Sequence, residues 1–136
     1  MNILKVLTEK RKVGNIGERA AAKYLKKSGY KILKMNYSPL DREIDIIAEN
    51  REVCAFVEVK TRTLGTENEN EARPAAAVTP QKQRGIISAA KYFLGSYSGN
   101  RRARLDIIEV YLDKGKKVQK ILHLEGAFNL NTAYER

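Results

Sequence analysis

The spacing of apolar and polar positions divides the chain into two helical segments and five extended ones. Ala21, Tyr24, Leu25 and Ser28 recur at helical spacing and predict a first helix with one core face. Asn15-Ile16-Gly17-Glu18 has the spacing of a capping box at its start, and Gly29 suits its end. Residues 1–12 ahead of it read as a flexible, basic lead-in. Tyr30 to Asn36, Glu43 to Glu49 and Val53 to Lys60 read as three strands, the last two joined by a tight turn at Asn50-Arg51. Val53 to Val57 is apolar on both faces, the pattern of a central strand covered on both sides. The segment 64–78 has no periodicity and carries Glu67, Glu69 and Glu71. It reads equally as a flexible loop beside a functional site and as a solvated acidic loop. Thr79-Pro80 opens a second helix, with Ile86, Ala89, Ala90 and Phe93 on its core face, running to about Tyr97. Arg104 to Leu112 and Val118 to Leu124 are two further strands, and 126–136 reads as a loosely packed tail. The expected fold is a single α/β domain over residues 1–136, an antiparallel meander extended through a helical crossover into a mixed sheet flanked by helices.

Two short acidic motifs interrupt this pattern. Glu43-Ile44-Asp45 opens the apolar run of the second strand, and Glu58-Val59-Lys60 closes that of the third. Side chains two apart on a strand share a face, so Glu58 and Lys60 point the same way. Packing gives no reason for a buried strand to end in two opposite charges on one face. Phosphodiester hydrolysis does: it needs a divalent cation, an activated water and stabilisation of charge on the phosphorus oxygens. Magnesium keeps several of its waters, so one to three carboxylates hold it. Asp45 and Glu58 on adjacent strands supply them, with Mg2+ or Mn2+ as the cofactor. The Lys60 ammonium is placed to orient the attacking water or to neutralise the phosphorane.

The bland alternative for Asp45, Glu58 and Lys60 is a buried ion-pair network, which stabilises little because desolvation offsets the attraction. Glu18 stands on the helix face directed at the sheet, as a fourth candidate, and is equally explained as the reciprocal partner of the capping box. Glu43 reads as support for the site or as a salt-bridge partner of Arg42 or Arg62.

Composition narrows the context. The chain has 136 residues, 43% hydrophobic and 31% charged, with 26 basic residues against 16 acidic ones and a net charge of +10. A balance so basic attracts polyanions, nucleic acid first among them, although an acidic protein partner would satisfy the same charge. No apolar run is long enough to cross a bilayer. Cys54 is the single cysteine and lies in an apolar strand, where it reads as a small buried hydrophobe. With His123 it is too little for a zinc cluster, and a cytoplasmic location is expected. His123 itself reads as a half-buried strand histidine rather than a catalytic one.

The ordered motifs resemble the bacterial YraN family, and through it the PD-(D/E)xK restriction-endonuclease-like superfamily. The matching segments are Gly17-Glu18-Arg19-Ala20, Tyr24-Leu25, Gly29-Tyr30, Asn36, Glu43 to Ala48, Phe56 to Arg62 and Arg104 to Ile108. The resemblance implies an αβββαβ core similar to that of archaeal Holliday-junction resolvases. It gives Asp45, Glu58 and Lys60 the signature roles and Glu18 that of an additional helix-borne acid. Arg42 departs from the family, which usually has Gly before Glu-Ile-Asp. A homodimer is compatible with the same analogy, since a two-strand cut needs two sites.

On the substrate side, Lys82 and Arg84 fall in the first turns of the second helix, where free backbone amides also favour phosphate. Arg62 follows the acidic strand, and Arg101 and Arg102 cluster ahead of the fourth. These five read as phosphate contacts or, equally, as ordinary solvated charge. Aromatic residues are too scattered for a single-strand stacking platform, so backbone or shape recognition of a duplex or branched structure is expected, with DNA favoured over RNA as the partner. The function expected is a metal-dependent DNA endonuclease acting on branched or damaged structures. The alternative is a non-catalytic nucleic-acid-binding or protein-interaction module on a nuclease fold.

Overall fold

A computed structural model describes residues 2–65 and 78–128 of the chain. The elements follow in the expected order: α1 (Ile3–Lys27), β1 (Lys31–Tyr37), β2 (Ile44–Glu49), β3 (Val53–Thr63), α2 (Pro80–Leu94), β4 (Arg102–Leu112) and β5 (Val118–Phe128). They build a five-stranded sheet in the order β1-β2-β3-β4-β5. Strands β3 and β4 run parallel and the other neighbours antiparallel. The crossover between β3 and β4 carries α2, as parallel pairing requires. Among the described residues no helix is long and apolar enough to cross a membrane.

The central position of β3 explains its composition. Val53, Cys54, Ala55, Phe56 and Val57 are all buried, with α2 covering the face of Cys54 and Phe56, and α1 that of Val53, Ala55 and Val57. Cys54 is free and fully buried, and burial pushes its thiol up to about 11. Asn50 sets the β2–β3 turn, its side-chain oxygen accepting the N–H groups of Glu52 and Val53 at 2.9 Å each.

The first helix departs from its expected start. Residues 3–14 continue the helix instead of forming a lead-in, and its N-cap is Asn2, whose Oδ1 accepts the Leu4 N–H at 2.9 Å. Asn15 is therefore an exposed interior residue and not a cap, and the capping-box role of Glu18 falls with it. The reason is local: Leu4, Lys5, Leu7 and the run Glu9 to Lys12 are good helix formers, and Gly14 costs only about 1 kcal/mol. The far end is as expected. Gly29 is left-handed (φ 92°), with the Tyr30 N–H bonded to Leu25 O and the Gly29 N–H to Lys26 O. Gly17, Ala21 and Leu25 form the buried ridge of α1, whereas Ser28 is exposed.

Smaller differences lie at element ends. The second helix stops at Leu94, where Gly95 follows, rather than at Tyr97. Strand β5 continues through Gly126 to Phe128, into the expected tail, because the Gly126 N–H is held by the buried carboxylate of Asp106 at 3.0 Å. The remainder of that tail, and positions 66–77 of the expected loop, lie outside the described residues.

Candidate active site

The paired part of β2 and β3 ends at Ile46 and Val57. Continued in register, Ile44 would face Val59. Instead, the carboxylate of Asp45 takes the Val59 N–H at 2.7 Å, replacing the next rung of the ladder with a side-chain bond. The strands part beyond this point, and the cleft opens there. It measures about 510 Å³ and is lined by Arg42, Glu43, Asp45 and Glu58 from the sheet side and by Lys82 and Ile86 from α2.

Glu58 and Lys60 share the α2-facing side of β3, as their spacing requires. Glu58 is buried and Lys60 half-buried, with Nζ 3.6 Å from Glu58 Oε1. The nearer cation to that oxygen is Lys82, at 2.7 Å. Lys82 stands in the first turn of α2, where the Thr79 hydroxyl accepts its backbone N–H at 3.1 Å, so the cap fixes the backbone while the side chain crosses the cleft.

Glu18 joins the group because α1 approaches β3 closely just before it. A Cβ added at Gly17 would lie 1.8 Å from Thr61 Oγ1, so only glycine permits this approach. Asn36, held at positive φ (51°), is the neighbour whose side chain favours the ionised form of Glu18. Glu18, Lys10, Lys60 and Thr61 also line a second cleft, on the α1 side of Lys60.

The electrostatics are those of crowded acids. Burial, and then the charge of Glu58, push the Asp45 carboxyl up to about 7. Burial also raises Glu18, helped by Glu43 and Glu58 and opposed by the polar side chain of Asn36. Lys60 is lowered by burial and by the neighbouring Lys82. Burial works against the Lys82 ammonium too, but its hydrogen bond to Glu58 and that carboxylate's field outweigh it, and its pKa is raised.

Among the described residues no three His, Cys, Asp or Glu side chains form a ready-made metal cage. The cleft instead offers the carboxylates of Asp45 and Glu58, an oxygen donor pair that fits a hard cation retaining its own waters better than a soft metal. Their mutual repulsion is what a divalent charge would relieve.

The basic residues divide. Lys82 belongs to the cleft, and Arg84 lies on the exposed side of α2. Arg62 is turned into a buried pair, its Nε 2.7 Å from Glu109 Oε2, and Glu109 also bonds the Tyr111 hydroxyl. Arg101 holds Glu49 at 3.3 Å. Arg102 pairs with Val53, five residues before Glu58, so it stands roughly 16 Å down the sheet from the acids. Arg101 and Arg102 therefore sit at the opposite end of β3 from Glu58 and Lys60. The signal was available: a strand parallel to β3 begins where β3 begins.

A second polar cluster emerges only in three dimensions. Asp106 is fully buried, and its carboxylate accepts Arg104 Nε at 2.9 Å and lies 2.7 Å from His123 Nε2. His123 Nδ1 in turn lies 3.0 Å from the Tyr24 hydroxyl, and Arg104 bonds the Tyr30 hydroxyl at 2.6 Å. Every member is satisfied by another, and the cluster ties α1 to β4 and β5.

Comparison with known proteins places the chain in a family. Residues 17–110 match the model described as "Uncharacterised protein family UPF0102", which spans Glu18, Asp45, Glu58, Lys60 and Lys82. The UPF0102 protein of Caldanaerobacter subterraneus subsp. tengcongensis is 42% identical over 121 residues, covering 88% of this chain and 96% of the relative. That of Clostridium acetobutylicum is 40% identical with the same coverage. That of Moorella thermoacetica is 39% identical over 123 residues, covering 88% of this chain and 97% of the relative. With both the family model and near full-length relatives in agreement, the chain belongs to the UPF0102 family of uncharacterised proteins.

Proposed function

We propose that the protein is a Mg2+- or Mn2+-dependent endonuclease acting on DNA, built on a restriction-endonuclease-like core. The reading rests on two carboxylates, Asp45 and Glu58, that line one cleft where β2 and β3 part, with Lys60, on the strand face of Glu58, 3.6 Å from Glu58 Oε1. A purely structural ion pair gives no reason for Asp45 to stay beside Glu58 at a cost to its own ionisation.

Asp45 and Glu58 would hold the cation, which when bound supplies Lewis acidity and a water more easily deprotonated at neutral pH. Lys60 Nζ lies 3.6 Å from Glu58 Oε1, and its lowered pKa suits a group that orients the attacking water and exchanges a proton with it. Water adds to phosphorus, the bond to one ester oxygen breaks, and the products are a phosphate monoester and an alcohol. Glu18 lies close enough to Glu58 for the two charges to act on each other and stands as a further acid at the edge of the site. The +10 net charge favours a polyanionic substrate, and the open cleft supports backbone contact rather than reading of a single extruded base.

The test is cleavage of linear, nicked and four-way DNA by purified protein in Mg2+ and in Mn2+. Asp45→Asn and Lys60→Ala should reduce cleavage by about 100-fold or more while leaving DNA binding in place. No cleavage of any of these substrates in either metal refutes the catalytic reading for them. Salt-sensitive binding without turnover would then favour the non-catalytic module.

A further inference from the structure

Glu58 is the most deeply buried acid of the cleft, with 6% of its surface exposed. Two lysines approach it, and they are not equivalent. Lys60 is tied to the same strand, two residues on. Lys82 reaches across from a helix that is capped by Thr79 and seated on the sheet by the buried Ile86, Ile87, Ala89 and Ala90, not by the ion pair. Its side chain is 46% exposed, so its ammonium touches Glu58 on one side and water on the other. The stem is long and unbranched, free to swing toward the cleft mouth, where Arg42 and Gln81 also stand.

A hard cation bound by Glu58 needs its oxygen at about 2.0–2.1 Å for magnesium. The ammonium of Lys82 already sits 2.7 Å from Oε1. A divalent ion and an ammonium on the same oxygen would be a few ångströms apart in a partly dry cleft, and their repulsion there is large. The strand-borne carboxylate cannot withdraw, whereas the exposed lysine can.

We propose that Lys82 is the stand-in for the divalent cation in the metal-free protein, and that cation binding displaces it toward the phosphate backbone of the incoming nucleic acid. This rests on the metal-dependent phosphodiesterase reading and adds a regulation to that site. While Lys82 holds Glu58, its charge is withheld from substrate. Once the cation takes Glu58, the released ammonium lies at the cleft mouth as a phosphate contact. Metal and polyanion then bind cooperatively, each strengthening the other by the same factor.

The test is calorimetric titration of Mn2+ into the full-length protein without DNA, for wild type, Lys82→Met and Lys82→Arg. Melting curves establish that each variant is folded, with Lys82→Gln as a second uncharged variant. Lys82→Met should bind Mn2+ about tenfold more tightly than wild type, equivalent to about 1.4 kcal/mol, and Lys82→Arg should stay near wild type. In a parallel titration of a short DNA duplex, Ca2+ should raise the affinity of wild type and raise that of Lys82→Met at least threefold less. Equal or weaker Mn2+ binding by Lys82→Met, with wild type still binding, overturns the proposal and leaves the metal site standing. Binding by Lys82→Met with none by wild type shows that the cation does not displace Lys82, and overturns the proposal while leaving the metal site standing. Absence of binding by both refutes the two together.

Discussion

Lys82 Nζ lies 2.7 Å from Glu58 Oε1, the oxygen that Lys60 approaches only to 3.6 Å. The lysine on the same strand is thus the second cation of Glu58, and the first comes from the helix across the cleft. Removing it should leave a buried carboxylate less compensated. Lys82→Met is expected to lower the thermal midpoint of the metal-free protein by a few degrees, about 1 kcal/mol, and saturating Mn2+ should erase the difference. A midpoint unchanged without metal would show that the ion pair contributes nothing.

Asp45 gives the cleft a pH signature. Its folded pKa of about 7 lies above the ordinary 3.8, so between those values the native state holds a proton that the unfolded chain has released. Stability supplied by this group is full below about pH 4 and is lost as pH rises through 7. Asp45→Asn should remove that part of the slope and stabilise the metal-free protein at pH 8 by about 2 kcal/mol. Urea melts of both proteins at pH 5 and pH 8 measure it. Equal slopes would contradict the assignment.

A cation reverses the sign of this effect, because it favours the ionised carboxyl. Mn2+ affinity should therefore fall about tenfold for each pH unit below 7 while a single proton is displaced. Calorimetry in buffers of different ionisation enthalpy counts that proton. Affinity flat from pH 5 to pH 8 would exclude Asp45 as a ligand.

The close approach of α1 to β3 can be broken by one methyl group. Gly17→Ala puts a Cβ 1.8 Å from Thr61 Oγ1 and 2.9 Å from Thr61 Cβ. It should cost about 2–3 kcal/mol in urea unfolding, and Thr61→Ala in the same chain should recover part of it. Full stability of Gly17→Ala alone would mean that α1 sits farther from the sheet than described.

The cluster around Asp106 should separate folding from site chemistry. Asp106→Asn leaves Arg104 without its buried counter-charge and should cost about 3 kcal/mol or more. Mn2+ affinity of the folded variant should remain within twofold of wild type, since the cluster lies outside the cleft.

Sequence patterning reached the parts of this molecule that depend on neighbours along the chain. The double-sided apolar run from Val53 to Val57 marked the central strand, and the two-residue spacing of Glu58 and Lys60 put them on one face. Gly29 marked the end of α1 through its left-handed backbone. What escaped depends on contacts between distant segments. Lys82 was legible as a basic residue near a helix start but not as the partner of Glu58, 24 positions earlier. Glu18 was directed toward the sheet, yet its local spacing from Asn15 suggested a cap that the longer helix made unnecessary. Arg104 and Asp106 alternate along their strand like surface charges, and only the packing of α1 and β5 over them makes them a buried pair. Arg62 likewise looked exposed until the parallel neighbour brought Glu109 beside it.

The most direct measurement is anomalous diffraction from crystals of the full-length protein soaked in Mn2+. A manganese peak is expected within coordination distance of the Asp45 and Glu58 carboxylates, with Lys60 beside it and Lys82 moved off Glu58. No peak in the cleft at saturating Mn2+, with Glu58 still held by Lys82, would contradict it.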